Sequence, residues 1–311
     1  MKNAKPHVVV VGSLNTDLVC RVPRHLVPGE TSAGLSFDEF AGGKGLNQAV
    51  AAARLGAEVA MVGRVGTDDY GDRLMATLAE AGIEAGQVWR DAAGTGLAII
   101  MVTDATGDNI IAILARANGQ LSPIDVEAAE PALRRADVLL LQLEVPLATT
   151  QRAAELARAA GTRVILNPAP AQPLSREILS LCDIVTPNES EAARLTGIAV
   201  EDDAGVRAAA EALRAQGASV VVMTLGARGV YALGPEGELR VPTFPVKAVD
   251  TTAAGDAFSG GLAYGLASGL TLSEALRWGC AAGALACTRA GAVPSLPTQA
   301  EALTLLTGAH V

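Results

Sequence analysis

The residues best suited to chemistry lie in the stretch 249–259, where an Asp-Thr pair and small residues precede Asp256. Phe258, Leu262 and Leu266 follow at helical spacing, so this aspartate is predicted to open a helix. The first N–H groups of a helix lack intrahelical acceptors and favour an anion. An anion hole beside a carboxylate suits phosphoryl transfer to a hydroxyl, with the carboxylate taking the proton. The alternative is an ordinary helix start, where the dipole stabilises Asp256.

The elements that must position this stretch alternate between strands and helices. Val8–Val11 is continuously apolar and β-branched, which is typical of a buried parallel strand. Alternation of this kind predicts βαβ units and a doubly wound α/β sheet. The further predicted strands are 59–62, 97–103, 109–114, 138–143, 164–166, 184–186 and 219–224, and the predicted helices include 69–81, 147–160, 191–195 and 206–215. Strands 97–103 and 109–114 flank Asp104–Asp108, whose turn chemistry predicts that they form a hairpin.

Polar residues cluster just after the carboxyl ends of the predicted strands. In open parallel sheets this edge is where ligands bind, so the pattern favours one active-site cleft. The residues are Asn15, Asp17, Glu144, Asn167, Asn188 and Gly226.

Two common phosphate-binding motifs are disfavoured. Only Gly12 of a dinucleotide GxGxxG fingerprint follows the first strand. The run Gly42-Gly43-Lys44 suggests a P-loop, but Gly45 stands where Ser or Thr is needed. The run instead opens a long Ala-rich helix that should end at Gly56.

The composition limits which classes of protein this chain can belong to. The chain has 311 residues, 50% of them hydrophobic, which suits one large α/β domain or two smaller ones. The net charge is −9 and no basic cluster is interleaved with aromatics, which disfavours a nucleic-acid partner. The three histidines lie near the ends of the sequence, which disfavours a His-based triad or a zinc site.

The cellular setting is predicted to be the cytoplasm. The four cysteines are scattered without a CxxC, which indicates buried free thiols in a reducing compartment. The short apolar run at 8–11 is a strand rather than a signal peptide, and no run reaches the ~18 residues of a membrane helix.

The sequence resembles the ribokinase, or PfkB, family of carbohydrate kinases from about Val8 to about Pro297. Two signatures carry the resemblance most strongly: Gly42-Gly43-Lys44-Gly45-Leu46-Asn47-Gln48-Ala49-Val50-Ala51 and Asp250-Thr251-Thr252-Ala253-Ala254-Gly255-Asp256. Between them, in order, stand the segments 141–144, 167–171, 186–191 and 224–229.

The resemblance implies a general base, an anion hole and a sugar site. Asp256 would take the proton of the sugar's primary hydroxyl, while the amides of Ala253, Ala254 and Gly255 hold the transferring phosphate. Family members often have Gly at 253 or 254, and Ala should serve there if its φ is negative. Sugar contacts would come from Asn15, Asp17, Gly43, Lys44, Gly45, Asn47, Glu144 and Asp256.

It also implies ATP, Mg²⁺ and K⁺ sites. Asn188 and Glu191 would organise Mg²⁺, largely through water. ATP would contact Asn188, Thr224, Leu225, Gly226, Ala227, Arg228, Gly229, Gly255 and Cys280, the last where some relatives place His or Asn. A monovalent cation, preferably K⁺, would be held at Asp250, Thr252, Ala286, Arg289, Gly291 and Ser295, unless Asp250 only pairs with Arg289.

The expected architecture is a single 1–311 doubly wound α/β domain, with segments 13–41 and 96–116 forming a small β-lid over the sugar. Exposed lid strands invite pairing with a second lid, so a homodimer is expected. The expected function is ATP-dependent phosphorylation of D-ribose at its 5-hydroxyl. The alternatives are a kinase for deoxyribose, a ketohexose or a nucleoside, and a non-catalytic sugar-binding regulator.

Overall fold

The computed structural model describes residues 5–105 and 108–308. Within these ranges the strands are β1 (His7–Val11), β2 (Asn15–Val22), β3 (Ser36–Gly42), β4 (Glu58–Gly66), β5 (Glu84–Asp91), β6 (Gly96–Thr103), β7 (Asn109–Leu114), β8 (Val138–Leu141), β9 (Arg163–Leu166), β10 (Ile184–Val185), β11 (Val220–Thr224), β12 (Val230–Gly234) and β13 (Gly237–Val241). The α-helices are α1 (Lys44–Arg54), α2 (Asp69–Glu80), α3 (Pro123–Ala128), α4 (Glu130–Arg135), α5 (Leu147–Ala160), α6 (Arg176–Leu181), α7 (Glu189–Thr196), α8 (Asp203–Ala215), α9 (Ala254–Ala267), α10 (Leu272–Ala286) and α11 (Gln299–Thr307).

The large sheet has the strand order β13-β12-β11-β10-β9-β8-β1-β4-β5, with β1 lying between the parallel strands β4 and β8. Successive valines of β1 point to opposite faces. Val8 and Val10 pack in a core with residues of α1, α9 and α10, while Val9 and Val11 pack in a second core with residues of α3, α5 and α8. Burying each valine stabilises the fold by roughly 1.5–3 kcal/mol. Helices therefore cover both faces, and the predicted doubly wound fold is confirmed.

One edge of the large sheet departs from the parallel pattern. β12 runs antiparallel to both of its neighbours, β11 and β13. Gly234 pairs with Gly237, so only two residues connect β12 to β13, and so short a connection can only reverse the chain. The sheet is mixed at this edge, beyond its parallel centre.

A second, small sheet has the order β3-β2-β6-β7. Its strands lie in the two segments predicted for the lid, and the predicted hairpin of β6 and β7 is present. The turn of that hairpin includes residues 106–107, which lie outside the described ranges. Cross-strand register places Asp17 with Ala98 and Ile113 on one face, and Phe37 with Ile110 on the other.

No helix within the described ranges is long and apolar enough to cross a lipid bilayer.

Candidate active site

A cavity of about 200 Å³ lies at the carboxyl edge of the large sheet. Its walls combine the start of α9 with the ends of β9, β10 and β11 and the start of α1. Asp256 is only 6% exposed and lines this cavity. The other lining residues are Lys44, Asn167, Ala169, Thr186, Asn188, Glu191, Thr224, Thr251, Ala253, Ala254, Gly255, Phe258 and Ser259.

Helix α9 begins without a side-chain cap, as an anion-binding helix start requires. Its N-cap, Ala253, makes no side-chain cap hydrogen bond, and a Cβ added at Gly255 would meet no atom within 4 Å. The Ala254 amide already donates to the Thr251 carbonyl at 3.2 Å. Gly255 therefore offers the most open backbone approach to a phosphate.

Ala253 corrects one sequence-based expectation. Its φ is +59°, in the left-handed region, rather than negative. A left-handed non-glycine residue costs about 1–2 kcal/mol, because its Cβ crowds the following carbonyl. The turn at 251–254 enforces this geometry, so the alanine is tolerated with strain.

The carboxylate of Asp256 is held by two side-chain amides of α1. Asn47 Nδ2 donates to Oδ2 and Gln48 Nε2 donates to Oδ1, each at 3.0 Å. Hydrogen bonds to a carboxylate are stronger than those between neutral groups, so this pair fixes the orientation of Asp256. Asn47 was predicted as a sugar ligand and Gln48 was not predicted at all, although it directly follows Asn47 in the first signature.

Asn15 and Asp17 lie on β2 beside the start of α1, and neither is among the residues that line the cavity. Asn15 is 2% exposed, and its Oδ1 accepts a 2.7 Å hydrogen bond from Asn118 Nδ2. Asn118 also accepts from the Leu14 amide and donates to the Leu14 carbonyl, so it fixes the chain where β2 begins. No strand or helix pattern surrounds Asn118 in the sequence, and the sequence analysis missed it.

The glycines of the first signature allow two chain segments to pack closely. A Cβ at Gly43 would lie 2.7 Å from the Asn15 amide nitrogen, and Gly43 has a φ of +91°. A Cβ at Gly45 would lie 2.6 Å from the Ser13 amide nitrogen. These contacts bring the start of α1 against the start of β2, so the predicted sugar ligands of the two segments converge.

Glu144 lies at the same junction. Its Oε2 accepts a 2.5 Å hydrogen bond from Ser13 Oγ and a 3.1 Å bond from the Lys44 amide. The Ser13 hydroxyl also accepts from the Gly45 amide at 3.3 Å. Glu144 is therefore tethered between the segment that follows β1 and the start of α1.

The site concentrates negative charge around one buried lysine. Burial lowers the pKa of Lys44, but the carboxylates of Asp256, Glu144, Glu191 and Asp17 outweigh it and hold the pKa above its ordinary value. Burial and then the charges of Glu144 and Asp256 raise the pKa of Asp17 from 3.8 to about 7, against the opposing effect of Lys44. Burial is also the main cause that raises the pKa of Glu191. The cluster is suited to a polyol and to cations.

The predicted nucleotide residues divide between the cavity and its surroundings. Asn188 and Thr224 line the cavity and form a bridge between neighbouring chain segments. Leu225 is buried, and Arg228 forms ion pairs with Glu189 at 2.6 Å and with Asp203 at 3.5 Å. The short 3₁₀ turn Gly226–Arg228, which also contains Ala227, leads into Gly229, whose φ is +82°.

Cys280 lies in the apolar core and does not line the cavity. It is 4% exposed, and burial raises the pKa of its thiol to about 12. Its predicted contact with adenine stays a prediction.

The two segments predicted for the monovalent cation meet at Asp250. Its carboxylate accepts hydrogen bonds from the Thr252 hydroxyl at 2.7 Å, the Thr252 amide at 2.9 Å and the Gly291 amide at 2.9 Å. Burial alone would raise the pKa of Asp250, but these donors bring it below its ordinary value. Arg289 pairs with Glu301 rather than with Asp250. Ser295 is fully buried near the same loop, and its hydroxyl donates to the Ala292 carbonyl.

The described ranges contain no group of three or more His, Cys, Asp or Glu side chains arranged to hold a metal ion directly.

The chain is similar to known carbohydrate kinases along most of its length. The family described as “pfkB family carbohydrate kinase” matches residues 5–299. Ribokinase from Haemophilus influenzae is 43% identical over 301 residues, covering 96% of this chain and 98% of that protein. Deoxyribokinase from Salmonella typhi is 39% identical over 259 residues, covering 83% and 84%. The structure of Arabidopsis thaliana ribokinase complexed with ribose and ATP superposes with a TM-score of 0.90 at 32% identity, covering 97% of this chain and 99% of that one.

Proposed function

This chain belongs to the pfkB family of carbohydrate kinases, and we propose that it transfers the γ-phosphate of ATP to the 5-hydroxyl of D-ribose, giving ribose 5-phosphate. The observation that carries the proposal is the placement of Asp256. It is buried in the cavity, hydrogen-bonded through both oxygens, and located at the uncapped start of α9. The high-coverage relatives named as ribokinases support ribose as the substrate.

Asp256 is the general base of this proposal. As the 5-hydroxyl oxygen attacks the γ-phosphorus, the hydroxyl proton passes to the carboxylate, and the bond from the γ-phosphorus to the bridging oxygen of ADP breaks. The Gly255 amide and its neighbours at the start of α9 stabilise the charge that develops on the transferring phosphoryl group. Lys44 lies in the same cavity and adds positive charge near it.

The sugar lies between Asp256 and the small sheet. Asn15, Asp17 and Glu144 supply amide and carboxyl groups that pair with its hydroxyls, and the backbone at Gly43–Gly45 closes one side. Asn47 Oδ1 is buried and has no hydrogen-bond partner among the described residues, so a sugar hydroxyl could donate to it. Paired groups matter here, because each buried polar group left unpaired costs about 1–3 kcal/mol.

Asn188 and Glu191 fit the predicted role of organising Mg²⁺ through water. Both line the cavity, and they cap α7 reciprocally, with each backbone amide donating to the other's side chain at 2.8 Å. The Glu191 carboxylate thus keeps acceptor capacity toward the cavity. Mg²⁺, when bound with ATP, neutralises charge on the phosphates.

The segments around Asp250 and Gly291 fit a monovalent cation site, preferably for K⁺. The carboxylate of Asp250 ties the segment before α9 to the loop after α10. A bound cation would add positive charge where these two segments meet and so stiffen the turn that leads to Ala253 and Gly255. The family resemblance implies that most of the ligands are backbone carbonyls, joined by the Asp250 carboxylate and the Ser295 hydroxyl, and a ring of carbonyls suits a large, weakly hydrated ion.

We further propose that the small sheet is a lid that pairs with a second copy to form a homodimer. Phe37 is 59% exposed and Ile110 56%, and both lie on the face opposite Asp17. Exposed apolar strands of this kind favour association.

The four free cysteines are consistent with a reducing cytoplasm.

An ATP-coupled assay across ribose, 2-deoxyribose, fructose and nucleosides tests the substrate. We expect the highest kcat/KM for ribose, with 2-deoxyribose clearly poorer, since Asn15 and Asp17 are expected to contact its ring hydroxyls. An equal or higher kcat/KM for 2-deoxyribose would favour the alternative of a deoxyribose kinase. A deoxyribokinase from Salmonella typhi is among the relatives of this chain. No turnover with any sugar would favour a non-catalytic regulator.

A further inference from the structure

We propose that Gln48 is a positioning residue for Asp256, and that Gln142 holds Gln48 in the orientation this requires. The inference rests on the proposed function, because it needs Asp256 to act as the general base. The relay runs from Gln142 Nε2 to Gln48 Oε1 at 2.6 Å, and from Gln48 Nε2 to Asp256 Oδ1 at 3.0 Å.

The direction of each amide in the relay follows from the carboxylate at its end. An ionised carboxylate only accepts hydrogen bonds, so Gln48 must present its NH₂ group to Asp256. The Gln48 carbonyl oxygen then faces Gln142, which must donate in turn. Nε2 of Gln48 also donates to Asn167 Oδ1 at 3.3 Å, and Asn167 donates to the Thr186 carbonyl. The Gln48 amide is therefore fixed from two sides.

The hydrogen-bonded pair of Gln48 and Gln142 has a cost in stability. Both Gln48 and Gln142 are fully buried, and Gln142 Oε1 has no partner within the described ranges. Gly12 makes room for this oxygen, since a Cβ at that position would lie 2.0 Å from it. Two apolar side chains would avoid an unsatisfied buried acceptor, which destabilises a fold. The polar pair is explained by the orientation it gives Asp256.

The charges that face Asp256 make its hydrogen bonds important for its orientation. Lys44 faces it from α1, Asp17 from β2 and Glu191 from α7. Two of these three groups are carboxyls, which repel a carboxylate, so the amide donors from α1 are needed to hold Asp256 in one orientation. Removing the Gln48 donor should free the carboxylate to rotate.

The test compares Gln48→Met and Gln142→Met with wild type by kcat and by KM for ribose. Methionine has a similar length and lacks both amide groups. For Gln48→Met we expect kcat to fall about 10–100-fold, the effect of one hydrogen bond to a charged group. We expect KM for ribose to change less than about three-fold, because the lost contact orients the base rather than the sugar. Gln142→Met should lower kcat by a smaller factor, again with little change in KM.

Gln299→Met is the matched control. Gln299 donates to the Tyr264 hydroxyl at 2.7 Å, away from the cavity, so this variant loses an amide hydrogen bond without touching Asp256. Its kcat and its KM for ribose should match wild type. Thermal unfolding of each variant separates lost stability from lost positioning.

The outcomes distinguish this inference from the proposed function. A wild-type protein that does not phosphorylate ribose would refute the function itself. An active wild type, with Gln48→Met showing an unchanged kcat or a loss that lies in KM for ribose rather than in kcat, would refute only the positioning role. A fall in kcat of equal size in Gln299→Met would also refute it. If Gln48→Met does not fold, Gln142→Met decides by the same criteria.

Discussion

Replacing Asp17 with Asn should stabilise the sugar-free protein while weakening sugar binding. Burial and the charges of Glu144 and Asp256 raise the pKa of Asp17 from 3.8 to about 7. The folded protein therefore keeps a proton on this carboxyl that the unfolded chain has already released. Stability from Asp17 is fully present below about pH 4 and is lost as pH rises through about 7. At pH 8 the folded state carries the whole penalty of the buried charge.

The size of the stability change follows from the pKa shift of Asp17. One pKa unit corresponds to about 1.4 kcal/mol, so a shift from 3.8 to about 7 sets a ceiling of about 4 kcal/mol. Because the pKa shift of Asp17 is coupled to the charges of Glu144 and Asp256, we expect roughly half of that, about 2 kcal/mol, for Asp17→Asn at pH 8. Asparagine keeps the shape of the side chain and removes the charge. At pH 4 the two proteins should unfold with nearly equal free energies.

The measurement is urea unfolding of both proteins without ligand, at several pH values between 4 and 8. Asp38→Asn is the control, because Asp38 is an exposed aspartate of the same small sheet. It should change the free energy of unfolding by less than about 0.5 kcal/mol at every pH. The reasoning is refuted if Asp17→Asn is no more stable than wild type at pH 8, or if its effect is the same at pH 4 and 8.

Three further predictions address the base, the cation and the lid. Asp256→Asn should bind sugar and fold normally but lose roughly 10²–10⁴-fold in kcat, because the amide cannot accept the proton; more than about a tenth of wild-type activity would contradict the assignment. Turnover in tetramethylammonium salts at constant ionic strength should rise on adding KCl, and an unchanged rate would remove the cation site while leaving the kinase assignment standing. Light scattering at micromolar concentration should show a dimer that Phe37→Asp combined with Ile110→Asp converts to a monomer, and a monomeric wild type would contradict the lid contact.

The sequence predicted those elements whose apolar pattern is continuous. The buried run at 8–11, the helix at 147–160 and the hairpin of β6 and β7 follow directly from periodicity and turn chemistry. β5 was missed because apolar and polar residues do not alternate clearly along its sequence, Glu84–Asp91. The antiparallel edge formed by β12 and β13 was missed as well, although glycines flank its short turn.

Site residues that belong to a signature could be predicted from the sequence. Residues whose role depends on contacts with distant parts of the chain could not. Asp256 and Lys44 were placed in one site from the two signatures, and the structure brings both into the cavity. Asn118 and Gln142 act through partners about a hundred residues away, which no local pattern reveals. The conformation of Ala253 depends on the turn before α9, so sequence could not give the sign of its φ.

The strained alanine before α9 has a consequence for how freely position 253 can vary. Glycine at this position would remove about 1–2 kcal/mol of backbone strain. It would also enlarge the freedom of the unfolded chain, which offsets about 0.4–1 kcal/mol of that gain. The strain relief exceeds the entropy cost by roughly 0–1.6 kcal/mol, so Ala253→Gly should be neutral to mildly stabilising. The fold therefore tolerates either residue at position 253, and the choice between them should matter mainly for how firmly the neighbouring amides are held.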